Sequence, residues 1–202
     1  MKSFIKAFGW PGFAGLFLLL VPIMLSLDGY HIDVKPANRR MTEATFTSIE
    51  ASLERYFEAN GVYPQPADPD ETAELSPGVV CRIGGAKCLY QALRGDGSDA
   101  IKAKDQTTPA TASDGNFEVE DIPRLIFKDM PPFMWRKIGN NYIIVDGYGR
   151  PFQYIKADPE KKNTINSTYD LWSYGDDDTH LRATSKDTEA NPALDATWIK
   201  NW

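Results

Sequence analysis

Residues 142–155 read YIIVDGYGRPFQYI. Two runs rich in β-branched and aromatic residues, 142–145 and 152–155, flank Asp-Gly-Tyr-Gly-Arg-Pro, and apolar runs either side of such turn chemistry predict a β-hairpin. A third run at 169–174, YDLWSY, stops at Gly175 and can complete a small antiparallel sheet. Upstream, Phe46, Ile49, Leu53 and Phe57 recur at spacings of three and four, which lays one apolar stripe along a helix at 42–60 with Gly61 as its stop. A helix with one apolar face needs a partner layer, and the sheet supplies it. The expected fold class is therefore α+β, an amphipathic helix packed on a small antiparallel sheet.

The connections differ in character. Residues 63–80 contain Pro64, Pro66, Pro69 and Pro77 among acidic residues and read as an extended surface connection. Residues 88–93, CLYQAL, suit a short helix. The stretch 99–116 has almost no large apolar side chain and reads as a long loop. Residues 117–135 carry apolar mass interrupted by Pro123, Pro131 and Pro132, so irregular packing is expected there. No internal repeat is present.

The 202 residues are enough for one ordinary domain. Against 28 Asp and Glu stand 22 Lys and Arg, a formal net charge of −6. That balance offers phosphate backbones no general attraction, so nucleic acid is not an expected partner. Residues 7–27 carry no charge and are long enough to span a hydrocarbon core of about 30 Å. Lys2 and Lys6 precede this stretch and Asp28 follows it, so the positive-inside bias keeps the N-terminus in the cytoplasm and exports the remainder. A cleaved signal peptide is the competing reading, although the neighbours of Ser26 form no small-x-small site. Gly29 and Pro36 mark a joint between this anchor and the helix.

Cys81 and Cys88 are the two cysteines, separated by RIGGAK, and in an oxidising compartment the two glycines could let the loop close a small disulfide. With His31 and His180 as the sole histidines, no CxxC or HxxxH spacing suggests zinc. No GxSxG elbow, Walker loop or GxGxxG fingerprint occurs, and no histidine stands beside a nucleophile in a known signature, so the chain does not read as an enzyme. Arg94, Gly95 and Asp96 spell an adhesion tripeptide but read as a Gly-rich turn, and Asn166 heads a glycosylation sequon that matters only in a secretory host. The chemically suggestive feature is Asp176, Asp177 and Asp178. Three adjacent carboxylates repel one another, and either a hard divalent cation relieves that repulsion or the segment is a solvated turn.

Three blocks resemble the major pseudopilin of type II secretion systems. YFEANGVYP at 56–64 is similar to the family's Tyr-x-x-x-x-Gly-x-Tyr-Pro at the close of its long helix. VDGYGRPFQY at 145–154 resembles its Asp-Pro-Trp-Gly-x-Pro-Tyr-x-Tyr hairpin, with Gly147 and Tyr148 where Pro and Trp are usual. YDLWSYGDDD at 169–178 resembles its Tyr-Asp-Leu-x-Ser-x-Gly-x-Asp-Gly, and the terminal IKNW its Ile-x-Asn-Trp. Near Gly12, Phe17 stands where the family's filament-forming Glu is expected.

The resemblance implies a pilin-like extracytoplasmic head over 38–202, with an insertion at about 65–135, following a cytoplasmic tip, anchor and joint over 1–37. It implies a single-pass bacterial inner-membrane protein with a periplasmic C-terminal domain, a structural subunit whose partners are other pseudopilins and inner-membrane secretion components. A calcium ion is implied in the C-terminal loop, with Asp177 and Asp195 as ligands and Asp176 and Asp178 as substitutes. The alternative is a membrane-anchored binding module or adhesin that uses such a head.

Overall fold

The computed structural model describes residues 33–95, 100–101, 126–127 and 129–202. The anchor expected at 7–27, the joint at Gly29, the loop expected at 99–116 apart from residues 100–101, and Asp96 of the tripeptide lie outside the described residues. Among those described, no helix is long and apolar enough to cross a membrane.

Helix α1 spans Lys35–Asn60 and ends where the Gly61 amide donates to the Phe57 carbonyl with φ at +72°. Pro36 stands in its first turn, where the missing amide costs nothing. The stripe behaves as its spacing predicts over most of its length, since Ile49 and Leu53 are fully buried and Phe46 nearly so. Each fully buried aliphatic chain contributes about 2 kcal/mol. Phe57 departs from this, for it is 41% exposed and stacks on Tyr63 with centroids 4.8 Å apart.

Strands β1 (Thr72–Ser76) and β2 (Val79–Arg82) form an antiparallel hairpin that begins within the 63–80 segment expected to be an extended surface connection. Its prolines fall outside the ladder, and Gly78 in the turn takes φ +82°. Helix α2 follows at Gly84–Arg94, longer than 88–93 because Gly84 and Gly85 belong to it. Those glycines are close-packing positions. A Cβ on Gly84 would stand 1.8 Å from the Asp68 carbonyl oxygen, and one on Gly85 2.5 Å from that of Tyr154.

A 3-10 turn at Pro132–Met134 leads into β3 (Trp135–Ile138), which pairs with β4 (Asn141–Ile144). Here the structure corrects the hairpin expected across 142–155. The runs lie in different sheets, because β4 pairs back with β3 while β5 (Gln153–Lys156) pairs forward with β6 (Tyr169–Ser173). A single bridge, Val145 to Pro151, remains between them, and Pro151 has no amide to extend a ladder. Helix α3 (Ser185–Ala190), closed by a Thr184–Asp187 capping box, precedes β7 (Ile199–Lys200), which adds to β6.

Lys35 to Trp202 form one compact α+β unit, and its described residues make sheets of two, two and three strands. Phe46, Ile49 and Leu53 of α1 meet Cys88, Leu89 and Leu93 of α2, Phe152 just before β5, Tyr154 of β5 and Leu171 of β6 in the main core. A separate cluster of Trp172, Tyr174 and Trp198 underlies the C-terminal loop.

The expected disulfide is not formed, since both cysteines are buried free thiols. Cys81 sits on β2 beside the charges of Arg150, Asp146 and Arg136, whereas Cys88 lies in the main core near Tyr154 and Tyr56. Helix formation from Gly84 onward replaces the flexible loop that a bridge required. Burial pushes both thiols up from their ordinary range, Cys88 further.

Candidate functional site

Polar groups are organised where the acidic loop at 174–198 meets the turn at 146–151. Its geometry begins with Asp146, which is 2% exposed. One carboxylate oxygen accepts the amides of Tyr148 and Arg150 at 2.8 and 2.9 Å, and the other accepts the Ser173 hydroxyl at 2.6 Å. Burial raises this carboxyl above its ordinary range, against the lowering influence of Ser173 and those amides. The buried carboxylate therefore shapes the turn and fastens it to the end of β6.

Arg150 extends from that turn under the acidic loop. Its Nη1 donates to the carbonyls of Gly175 at 2.8 Å and Asp177 at 2.6 Å, and its Nη2 to Asp178. The guanidinium lies over the Tyr148 ring, 5.7 Å from the centroid.

Each carboxylate of the triplet has its own protein partner. Asp176 faces Lys35 of α1 at 3.4 Å, and Asp178 faces Arg150. Asp177 turns inward. Its Oδ1 accepts the Thr179 amide at 2.8 Å, the Thr179 hydroxyl at 2.9 Å and the His180 amide at 3.1 Å. Its Oδ2 accepts the Trp198 indole N–H at 3.1 Å and lies 2.9 Å from His180 Nδ1, which assigns the proton to that nitrogen. Burial opposes ionisation, yet the Thr179, Trp198 and His180 donors outweigh it and hold Asp177 well below the usual carboxylate range.

Asp195 lies at the other end of the loop, nearly buried, where it accepts from Lys200 and from the Trp202 indole at 3.3 Å. The carboxylates expected to bind calcium are thus engaged by protein donors. Among the described residues, no three His, Cys, Asp or Glu side chains converge on a metal-sized centre. Calcium takes roughly 6–8 oxygens, several from carboxylates free to turn toward it, and the donor set as arranged does not fit.

The residues that sequence reasoning missed are Arg150, Asp146, Ser173 and Trp198. Asp146 was legible as a turn residue, since Asp before Gly caps such turns through its own carboxylate. Arg150 carried no local signal, for its acceptors lie 25 to 28 residues downstream. Asn166 of the sequon is used internally, its amide reaching the carbonyls of Tyr169 and Asn201, each at 3.3 Å.

The loop also braces the start of α1. Arg39 donates to the Thr197 carbonyl at 3.2 Å, and the Tyr148 hydroxyl to the Lys35 carbonyl at 3.3 Å. A shallow depression beside it is lined by Gly78–Val80 of the first hairpin and by Asp178–Ala183. Thr179 and His180 line this depression, where the Thr179 hydroxyl lies 2.9 Å from His180 Nδ1, and the loop, the turn and the start of α1 fasten one another. No protein-family model matches the sequence, and comparison with curated proteins and with solved structures found no similar protein.

Proposed function

We propose that the chain is a non-catalytic, pseudopilin-like structural subunit, held in a bacterial inner membrane by residues 7–27 with its α+β head outside the cytoplasm. The observation that carries this reading is the gathering of the family-like blocks around one helix. The acidic loop after β6 is fastened both to the turn at 146–151 and to the C-terminal Ile-Lys-Asn-Trp, which also pairs with β6, and the turn and the loop touch the opening turn of α1. Such a head keeps its loops rigid, which suits a subunit that works through repeated contacts with neighbours. Apolar packing of the anchor within the bilayer would supply the remaining association.

The test is photo-crosslinking in intact cells from exposed α1 positions such as Glu43 and Arg55, followed by purification from the membrane fraction. Crosslinks to other pilin-like subunits or to inner-membrane secretion components are the expected result. A chain recovered wholly from the soluble fraction would remove the anchor from the proposal. Crosslinks confined to a non-pilin ligand would favour the second reading, an anchored binding module, for which Phe17 in place of the filament Glu is the supporting feature.

A further inference from the structure

We propose that the Arg150 guanidinium is the resident cation of the acidic loop, occupying the electrostatic role a divalent metal would otherwise fill. Its acceptors are two backbone carbonyls and one carboxylate, the ligand types that a hard cation takes from a loop. The two carbonyls belong to Gly175 and Asp177, so the guanidinium bridges the residues on either side of Asp176. Its side chain is 15% exposed, whereas that of Asp178 is 81% exposed, and the carbonyl contacts therefore matter more than the ion pair.

Three features make Arg150 a built-in group. Its own amide is fixed on buried Asp146 at 2.9 Å, so the backbone from which the side chain springs is set by a carboxylate in the core. The Tyr148 ring backs the guanidinium plane and limits where it can swing. The remaining charge of the triplet is met separately, by Lys35 at Asp176 and by the Thr179, His180 and Trp198 donors at Asp177. A metal entering the loop would have to displace Arg150 from the carbonyls and strip at least one carboxylate of its donors. Planar guanidinium bridges several oxygens at once, which an ammonium cannot do in the same geometry.

Thermal unfolding of the full-length chain in detergent, followed by tryptophan fluorescence, tests the assignment. Wild type is measured in EDTA, in magnesium and in calcium at about 5 mM, above the roughly 1 mM Kd of weak extracellular calcium sites. Its midpoint should be the same in all three. Arg150→Ala should lower the midpoint by about 5 °C or more. It should also become responsive to calcium, and millimolar methylguanidinium should recover part of the loss. Arg150→Lys should fall between the two. Calcium that stabilises wild type, with the gain abolished in Asp178→Asn, would overturn the assignment, and so would an Arg150→Ala midpoint equal to that of wild type. If Arg150→Ala does not fold, the wild-type calcium response and the Arg150→Lys midpoint still decide.

Discussion

The amide of Gly147 donates to the hydroxyl of Thr42 over 2.9 Å, joining the turn before β5 to a buried position on α1 across 105 residues of sequence. The same hydroxyl donates to the Asn38 carbonyl at 2.8 Å, so one threonine relays between helix and turn. The contact needs glycine, because a Cβ on Gly147 would stand 2.2 Å from the Asn38 carbonyl oxygen. Gly147→Ala must push the turn off the helix, and overpacking of this kind costs about 1–3 kcal/mol. Gly147→Pro removes the amide as well and should cost more, although the pseudopilin pattern has Pro at this place. Urea unfolding of both variants checks the order. A Gly147→Pro variant as stable as wild type would mean that the turn does not lie against α1.

Asp146 gives a prediction whose sign depends on pH. Its folded-state pKa is raised by burial above the unfolded value of about 3.9, so the native state holds the proton more tightly. The favourable contribution is complete below the unfolded pKa and is lost as pH rises through the folded pKa. At neutral pH the buried charge is a cost, offset by Ser173 and the two amides. Asp146→Asn keeps one oxygen for those amides and drops the charge. Its stability relative to wild type should therefore be highest near neutral pH and should decline in acid. Asp146→Ala leaves buried donors unmet and should lose about 2–4 kcal/mol near neutral pH and more in acid, where the wild type gains from the raised pKa. A relative stability of Asp146→Asn that rises on acidification would contradict the burial argument.

The last strand depends on a side chain that imitates backbone. Asn201 Oδ1 accepts the Leu171 amide at 3.0 Å, and Nδ2 donates to the Tyr169 carbonyl at 3.2 Å, continuing the β6–β7 ladder past Lys200. Asn201→Ala should cost about 1–3 kcal/mol, since a strand amide beside fully buried Leu171 loses its partner. Hydrogen exchange at the Leu171 amide should accelerate with it. Unchanged exchange would mean that water replaces the side chain without loss.

How much of this was legible in the sequence depended on whether a signal was local. The α1 stripe was readable because its period is a property of neighbouring residues, and Gly61 marked its end. The run before Gly175 was readable as a strand for the same reason. Gly84 and Gly85 were misleading, since a glycine pair that loosens a loop and one that lets a helix sit on a carbonyl look alike in one dimension. Partner choice for 142–145 was hidden as well, because the competing strand β3 follows a proline-rich stretch that gave no strand signal. The acidic triplet looked like uncompensated repulsion, yet Lys35 lies 141 residues from Asp176 and Arg150 lies 28 from Asp178. Ion pairs assembled across such separations leave no trace in composition.

The buried thiols provide a chemical check. In native protein prepared without reductant, a thiol reagent should label neither cysteine, because both have no exposed surface and raised pKa values. After denaturation under non-reducing conditions, two thiols per chain should react. A count of zero would show that the chain carries the 81–88 bridge and that the start of α2 is rearranged.

The bond from Trp198 to Asp177 can be measured on its own. Trp198 is 4% exposed, stacks on Trp172 at 6.1 Å with planes 10° apart, and meets Tyr174 edge-on at 5.0 Å. Trp198→Phe keeps an aromatic ring in that cluster and deletes the indole donor, leaving Asp177 with the Thr179 and His180 contacts. A hydrogen bond to a charged acceptor contributes about 1.5–3 kcal/mol, and the smaller ring adds a packing loss. Asp177→Asn has nearly the same shape but turns an N–H₂ toward donors, so it should be at least as costly. The two substitutions act on the same bond, and the double variant should therefore lose less than the sum. A coupling of about 1 kcal/mol or more is expected from urea unfolding of the four proteins, since contacting residues show such non-additivity. Strict additivity would mean that Trp198 stabilises the loop through ring packing alone, and that the Asp177 carboxylate is held by the residues next to it in sequence.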